Sequence, residues 1–183
     1  MAWSTAYCSS WFCCASPIGI LLNRQTTKSV RLSVMNSAQD QPSLRFERQF
    51  SVDPEIVFDT LTNPELMKIW WGENVEFDID LRVEGEWTII RHENDDKYIA
   101  TGVYLEVDRP RRLKYTYAMP QFSANTDTIM IQIEESDIGC TVAFEQSGDD
   151  IADELRALVQ EDVSASEAGW QQGFDLMLAS WSK

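Results

Sequence analysis

The sequence predicts an α+β fold in which a curved antiparallel sheet wraps around one long C-terminal helix. Segments that alternate apolar and polar residues follow one another from residue 75 to residue 147, with short turns between them. Such spacing is typical of an antiparallel meander. The chain then ends in a segment of helical period at residues 164–181. Because one face of this sheet needs covering, and that segment is the longest helix, the sheet is expected to curve around it.

Composition indicates the size of the domain and the kind of partner it can have. The chain has 183 residues, 44% of them apolar and 11% aromatic, which predicts one domain with a sizeable core and a modest tail. Its net charge is −15 at pH 7. An acidic chain of this kind repels polyanions, so a nucleic-acid partner is not expected.

Residues 1–42 are predicted to be an extension that precedes a domain at residues 43–183. Three alternatives remain open for residues 1–34: a transit peptide, a translated upstream region with Met35 as the true start, and a secretory signal, which fits least well. The expected location is therefore cytoplasmic, or organellar if the extension is a transit peptide. No apolar run reaches the length of about 18 residues that a membrane span needs, so none is expected.

Cysteine use favours a reducing compartment. Three cysteines, Cys8, Cys13 and Cys14, lie in the extension without a neighbouring histidine, so a metal site there is not expected. Cys140 is then the single cysteine of the predicted domain and is expected to be a buried thiol.

The domain begins with a half-buried strand at residues 43–50, whose inward pattern has one defect at Arg48. Two short helices follow, opened by "DPE" at residues 53–55 and "NPE" at residues 63–65. Each motif supplies an N-cap, a proline at the first helical position and an acid favoured by the helix dipole. The second helix is expected to end at Gly72.

Six further strands are predicted, and the last part of the chain is helical. Residues 149–162 form a short helix in this interpretation, and Ser164 with Glu167 forms a capping box that opens the terminal helix. The predicted strands are residues 75–80, 85–92, 98–108, 112–119, 126–135 and 140–147. A sheet curved around one helix leaves a concavity, and the two short helices are placed to close one end of it.

Four segments, taken in order, resemble one known superfamily. They are "VFDTLTNPELMKIWWG", "FDIDLRVEGEW", "GVYLEVDRPRRLKYTY" and "EAGWQQGFDLM". Together they resemble the SRPBCC, or START-like, superfamily, and within it the branch named for the C-terminal domain of the activator of the heat-shock-protein-90 ATPase. The resemblance covers residues 44–181. It implies a helix-grip fold with a hydrophobic cavity between the sheet and the C-terminal helix.

The resemblance implies several functions. Members of the superfamily bind lipids, hormones, polyketides or other apolar molecules, some catalyse cyclisation or hydrolysis, and the namesake domain is a co-chaperone module. The leading expectation is a binding domain for an apolar or amphipathic small molecule. A protein-interaction role with a chaperone partner and a cyclase- or hydrolase-like enzyme are the alternatives. Many members self-associate, so a homodimer is possible. These 183 residues show no counterpart of the namesake's separate chaperone-binding domain, so direct activation of the chaperone is the less expected role.

Eleven residues are predicted to line the cavity and to bind the ligand. The adjacent Trp70 and Trp71 end the second short helix, and one is expected to anchor the helix pair while the other faces the cavity mouth. Arg91 shares a strand face with two apolar residues, where it either pairs with a ligand carboxylate or phosphate or reaches solvent or a surface acid. The full set is Trp70, Trp71, Trp87, Ile89, Arg91, Tyr104, Tyr115, Tyr117, Phe144, Trp170 and Phe174.

The sequence contains few residues in patterns that suit catalysis or metal binding. His92 is the single histidine, and its position beside the acidic turn "ENDD" fits a solvated hairpin residue better than a general base. With one histidine, neither a Ser-His-Asp triad nor a histidine-based metal site is predicted. No phosphate loop or dinucleotide-binding glycine pattern is found, so no cofactor is expected.

Overall fold

A computed structural model describes residues 41–158 and 162–182 of the chain. Most of the predicted N-terminal extension therefore lies outside the described residues. The elements within the described ranges are β1 (Leu44–Phe50), α1 (Pro54–Thr62), α2 (Pro64–Trp71), β2 (Val75–Ile79), β3 (Glu86–Glu93), β4 (Asp96–Asp108), β5 (Arg112–Tyr117), β6 (Asp127–Ser136), β7 (Gly139–Ser147), α3 (Asp149–Ala157) and α4 (Ala165–Trp181). No helix in these ranges combines the length and apolar character needed to cross a membrane.

The strands form one antiparallel sheet in the order β1-β7-β6-β5-β4-β3-β2. Strands β2 to β7 follow the chain as a meander, and β1 pairs with β7 at the far edge. The predicted α+β class, with a curved antiparallel sheet and a C-terminal helix, is confirmed. Alternating residues of each strand point to the concave face, which places the apolar side chains of the sheet against the helices.

The two short helices begin at the predicted motifs, but they are capped differently. The side chain of Asn63 accepts a hydrogen bond from the backbone N–H of Glu65 at 3.0 Å, as expected for an N-cap. The side chain of Asp53 makes no such bond, and only its backbone carbonyl accepts, from Ile56 N at 3.0 Å. Helix α2 ends at Gly72, whose φ of +99° is readily adopted only by glycine.

Helix α4 is anchored to the β1–β7 side of the sheet by aromatic rings. Ser164 opens the helix by accepting a hydrogen bond from Glu167 N at 3.0 Å. The ring of Phe174 then packs edge-on against Phe46 at 5.8 Å and lies at the same distance from Phe50. These ring contacts hold the helix against the concave face of the sheet.

Arg48, the defect in the pattern of β1, also points toward α4. Its guanidinium donates to Gln171 Oε1 and to Asp175 Oδ1, both at 2.6 Å. The two acceptors lie one turn apart on the helix, so one planar group contacts both of them. The polar residue thus attaches the edge strand to the helix from the side that faces solvent.

We expect the Arg48–Asp175 pair to contribute weakly and in a salt-dependent manner. The Asp175 side chain is largely exposed, so solvent screens the pair. A double-mutant cycle with Arg48→Met and Asp175→Asn should give a coupling energy of about 0.5–1 kcal/mol in urea unfolding at low salt. The same cycle on the Arg156–Asp153 pair, in which both side chains are more exposed, is the control and should give less. A coupling that is unchanged in 1 M salt would contradict this assignment.

Candidate functional site

The concave face encloses a small aromatic cavity between the sheet, α2 and α4. Its volume is about 20 Å³, which is room for about one water molecule. We use the name aromatic cavity for the space lined by Leu61, Met67, Trp70, Trp71, Ile79, Trp87, Ile89, Tyr104, Leu113, Tyr115, Tyr117 and Trp170. Seven of these side chains are tryptophan or tyrosine, and none carries a charge.

Eight of the eleven predicted site residues line the aromatic cavity. They are Trp70, Trp71, Trp87, Ile89, Tyr104, Tyr115, Tyr117 and Trp170. That these side chains contact a ligand stays a prediction. Four further lining residues were not predicted: Leu61, Met67, Ile79 and Leu113. The strand alternation places Leu113 on the same face as Tyr115, and Ile79 pairs with Trp87 across β2 and β3, so periodicity could have found both.

The other three predicted residues lie outside the lining. Phe144 and Phe174 belong to the neighbouring aromatic layer under α4, where Phe144 stacks on Phe46 at 4.7 Å. Arg91 lies further along β3 and forms a long ion pair with Glu93 at 3.7 Å, with 14% of its side chain exposed. His92 points the other way and contacts Glu76 at 3.0 Å on the exposed surface.

The adjacent tryptophans at the end of α2 are both buried. Their ring centroids are 5.2 Å apart, and the Trp70 ring lies 6.0 Å from Trp170 of α4. Trp70 also donates its indole N–H to the backbone carbonyl of Thr60 at 3.0 Å. Trp70 therefore anchors the helix pair and contacts α4, and both rings form one wall of the aromatic cavity.

A buried polar chain connects this wall to the start of α3. Trp170 donates its indole N–H to Gln146 Oε1 at 3.2 Å, and Gln146 Nε2 donates to Asp127 Oδ2 at 2.9 Å. The Asp127 carboxylate, in a residue that is 2% exposed, also accepts from the backbone N–H groups of Asp150 at 3.2 Å and Ile151 at 3.1 Å. Burial raises the pKa of Asp127, and the bonds from Gln146 and Ile151 oppose that rise.

We expect Asp127→Asn to destabilise the fold by about 1–3 kcal/mol. All three partners of the carboxylate are donors, so an amide NH₂ placed there leaves at least one buried donor without an acceptor. Chemical unfolding measures the loss. Asp153→Asn is the matched control, because Asp153 is an exposed acid of α3, the helix whose first backbone N–H groups donate to Asp127, and its change should stay within about 0.5 kcal/mol. Equal stabilities for the two variants would show that the buried polar chain through Asp127 contributes little to the stability of the fold.

The opposite wall consists of Trp87 and the three tyrosines of β4 and β5. The Trp87 ring meets Tyr115 edge-on at 5.6 Å and stacks on Tyr117 at 6.1 Å, while Tyr104 meets Tyr115 at 6.0 Å. Burial raises the pKa of all three phenols, so they stay neutral at physiological pH. Trp87 is 4% exposed, and its indole nitrogen has no hydrogen-bond partner among the described residues.

A second concavity, on the outer surface, has a different character. It has a volume of about 680 Å³ and lies between the start of α1, the β4–β5 turn and β6. Six of its lining residues are acidic, and Arg111 pairs there with Asp108 at 3.1 Å. Within residues 41–158 and 162–182, no group of three or more His, Cys, Asp or Glu side chains is arranged to hold a metal ion.

Comparison with known proteins identifies relatives of the whole described fold. A family profile described as "Activator of Hsp90 ATPase homolog 1-like protein" matches residues 51–180. No curated protein is similar enough to this chain to count as a match.

Three solved structures illustrate the likeness. A protein from Rhodobacter sphaeroides has a TM-score of 0.65 and 16% identity, over 80% of this chain and 96% of its own. MLL2253 from Mesorhizobium loti has a TM-score of 0.62 and 21% identity, over 77% and 97%. CV1439 from Chromobacterium violaceum has a TM-score of 0.58 and 21% identity, over 75% and 95%. At such identities the likeness concerns the fold alone.

Proposed function

Because the chain belongs to the family of Activator of Hsp90 ATPase homolog 1-like proteins, we propose that it is a binding domain that encloses a small molecule. The fold of this family supports a ligand-binding or a co-chaperone-like domain. The proposed ligand is apolar or amphipathic and lies in the aromatic cavity, between the sheet and α4.

The concentration of aromatic side chains with polar tips is the observation that carries this proposal. Four tryptophans and three tyrosines converge on one small space at the centre of the fold. Aliphatic side chains would fill a core without burying N–H and O–H groups that need partners. A cavity that is mostly apolar, with a few convergent polar groups, is the usual form of a small-molecule site.

The volume of the aromatic cavity requires it to open when it binds. Ligand pockets usually measure about 300–1,000 Å³, whereas this cavity measures about 20 Å³. Its outer wall is formed by α2 and α4, which meet through the rings of Trp70 and Trp170. Ring contacts of this kind re-form at a new angle more easily than a network of directed bonds, so the ligand is proposed to separate these two helices from the sheet.

Native mass spectrometry tests the proposal. The full chain is purified from its own host, and its intact mass is measured under native conditions. Organic extraction of the denatured protein then releases what it carried. We expect an added mass that disappears on denaturation and reappears as one small molecule in the extract. A protein that is consistently empty, both from the host and after incubation with a total lipid extract of the host, would contradict the proposal.

A co-chaperone role is the second candidate, and two observations favour it. The aromatic cavity is almost filled by its own side chains. In addition, Leu81, Val83 and Leu105 are exposed large apolar residues, and backbone hydrogen bonds hold the loop at residues 80–85 against Tyr104. Isolated exposed residues are common, but a group of them is a candidate protein contact.

An ATPase assay distinguishes the two candidates. The heat-shock-protein-90 chaperone of the same host is assayed for ATP hydrolysis with and without the full chain. A co-chaperone should change the rate, and Val83→Asp should remove that change while leaving the fold intact. Glu76→Ala, which alters another exposed site, is the control. An unchanged rate at saturating chain eliminates direct activation and leaves the small-molecule function as the candidate.

A further inference from the structure

We infer that the ligand of the aromatic cavity is an uncharged molecule with a hydrogen-bond-accepting oxygen, such as a ketone, ester or ether, and that this oxygen accepts from the indole N–H of Trp87. The inference rests on the proposed function, because it names the chemical class of the ligand for the same cavity. Two independent features support it: the absence of charge from the lining, and the buried indole N–H of Trp87, which has no hydrogen-bond partner among the described residues.

The first feature is that the lining contains no countercharge. The twelve lining residues include no lysine, arginine, histidine, aspartate or glutamate. Arg91, the basic residue on the same strand face as Trp87, lies outside the lining and pairs with Glu93 at 3.7 Å. An ionised carboxylate or phosphate enclosed here would lose its hydration without gaining an ion pair, which is strongly unfavourable. Fatty acids and phosphate esters are therefore disfavoured as ligands.

The second feature is the unequal use of polar groups around the cavity. Trp70 and Trp170 donate their indole N–H groups to Thr60 and Gln146, and the Tyr117 hydroxyl donates to the sulfur of Met119 at 3.1 Å. These three groups are therefore committed to the fold. Trp87, by contrast, has its indole nitrogen buried with no hydrogen-bond partner in the described ranges. A buried donor without a partner is unfavourable. A ligand oxygen that accepts from it therefore contributes the full free energy of that hydrogen bond to binding.

The position of Trp87 favours a fixed donor. Its indole nitrogen would lie 2.7 Å from a Cβ atom built on Gly102, so the ring sits directly over that glycine. Tyr115 and Tyr117 contact the same ring from β5. Because packing already restricts the ring, little rotational freedom is lost when an acceptor binds, and the donor is preorganised. The burial of three neutral tyrosines beside it keeps the surroundings uncharged.

Three probes that share the naphthalene ring and differ in one substituent test the inference: 2-acetylnaphthalene, 2-ethylnaphthalene and 2-naphthoate. Isothermal calorimetry measures their affinities for the full chain at pH 7. We expect the ketone to bind about fivefold tighter than the ethyl compound, from one hydrogen bond. The carboxylate should bind about a hundredfold more weakly than the ketone, or not measurably.

Two further measurements locate the hydrogen bond. With the chain labelled by ¹⁵N at its indoles, the ketone should shift the Trp87 N–H proton downfield, whereas the ethyl compound should not. Trp87→Phe should retain the ethyl compound and lose the preference for the ketone. Trp181→Phe is the control, because Trp181 contacts Phe50 and does not line the cavity, and it should keep that preference. The NMR measurement uses the unaltered chain, so the test holds even if Trp87→Phe folds poorly.

The outcomes separate this inference from the proposed function. Binding of all three probes with similar affinity, or tightest binding of the carboxylate, overturns the neutral-acceptor class while it leaves the small-molecule function intact. A preference for the ketone without any shift of the Trp87 N–H overturns the role of Trp87. Failure of all three probes to bind at their solubility limits overturns the inference, whereas the proposed function is overturned only by a protein that is empty in native mass spectrometry.

Discussion

Phe174→Ala is expected to destabilise the domain by about 3–5 kcal/mol, which is a large share of the stability of a domain of this size. Phe174 is 1% exposed and lies where α4 crosses β1 and β7. Its ring contacts Phe46 and Phe50 at 5.8 Å and Phe144 at 6.5 Å. Alanine removes the ring and leaves a hole that these three rigid side chains cannot fill without moving the helix.

Urea unfolding followed by circular dichroism measures this loss. Leu176→Ala, two residues further along the same helix, is the matched control because that side chain is 37% exposed and faces away from the sheet. Its change should stay below about 1 kcal/mol. If the two variants lose similar stability, α4 is not fixed by its inward aromatic residues.

Periodicity made most of this fold predictable from the sequence. The alternation in residues 126–135 and 140–147 corresponds to β6 and β7, whose inward residues Ile131 and Phe144 are buried and paired. The same rule puts Tyr115 and Trp87 on the concave face. Since a strand has only two faces, one correctly placed apolar residue fixes the orientation of its neighbours. Eight of the predicted residues meet in one cavity for this reason.

The residues that alternation did not explain depend on distant partners. Arg48 interrupts the pattern of β1, and its partners Gln171 and Asp175 lie 123 and 127 positions away. No local rule connects them, because the connection exists only after α4 has crossed the sheet. Asp127 is similar: its carboxylate serves Gln146 and the start of α3 together, so its burial follows from tertiary contacts and not from propensity.

The sequence also did not show which buried aromatic residues line the cavity and which belong to the filled core. Phe144 and Phe174 are buried aromatic residues like most of the lining residues, yet their rings pack against Phe46 and do not border the cavity. Cavity volume is set by how neighbouring side chains interlock, and a change of one rotamer opens or closes it. For that reason the sequence predicts an aromatic interior well and predicts poorly which rings border a void.

Gly102 is another position whose close neighbours cannot be predicted from the sequence. A glycine inside a strand can allow a helix or a ligand to approach the sheet closely. In the structure the close neighbours are instead the backbone carbonyl of Thr116 on β5 and the indole nitrogen of Trp87. The glycine therefore admits the Trp87 ring to the sheet surface, and the position of the proposed donor depends on it.

Gly102→Ala is expected to cost about 3 kcal/mol or more, and to disturb the ligand site in the same step. A Cβ atom there would lie 1.8 Å from the Thr116 carbonyl oxygen and 2.7 Å from the Trp87 indole nitrogen. The first neighbour is backbone, so β4 and β5 must separate locally; the second must swing out of its place beside Tyr115. Chemical unfolding measures the loss of stability, and calorimetry should show that the preference for 2-acetylnaphthalene over 2-ethylnaphthalene disappears.

Gly72→Ala adds the same methyl group where no other atom lies within 4 Å, and serves as the matched control. Its cost comes from the backbone conformation at the end of α2, with φ +99° and ψ +173°, which residues other than glycine rarely adopt, and should be about 1–3 kcal/mol. If Gly102→Ala is no worse than this control, the sheet accommodates a side chain at residue 102 and Trp87 is not held by it. If the variant is severely destabilised and also loses the preference for the ketone, as expected, the glycine, the ring above it and the donor that the ring carries form one unit. The selectivity of the cavity would then be built into the sheet itself, while α2 and α4 control only access to it.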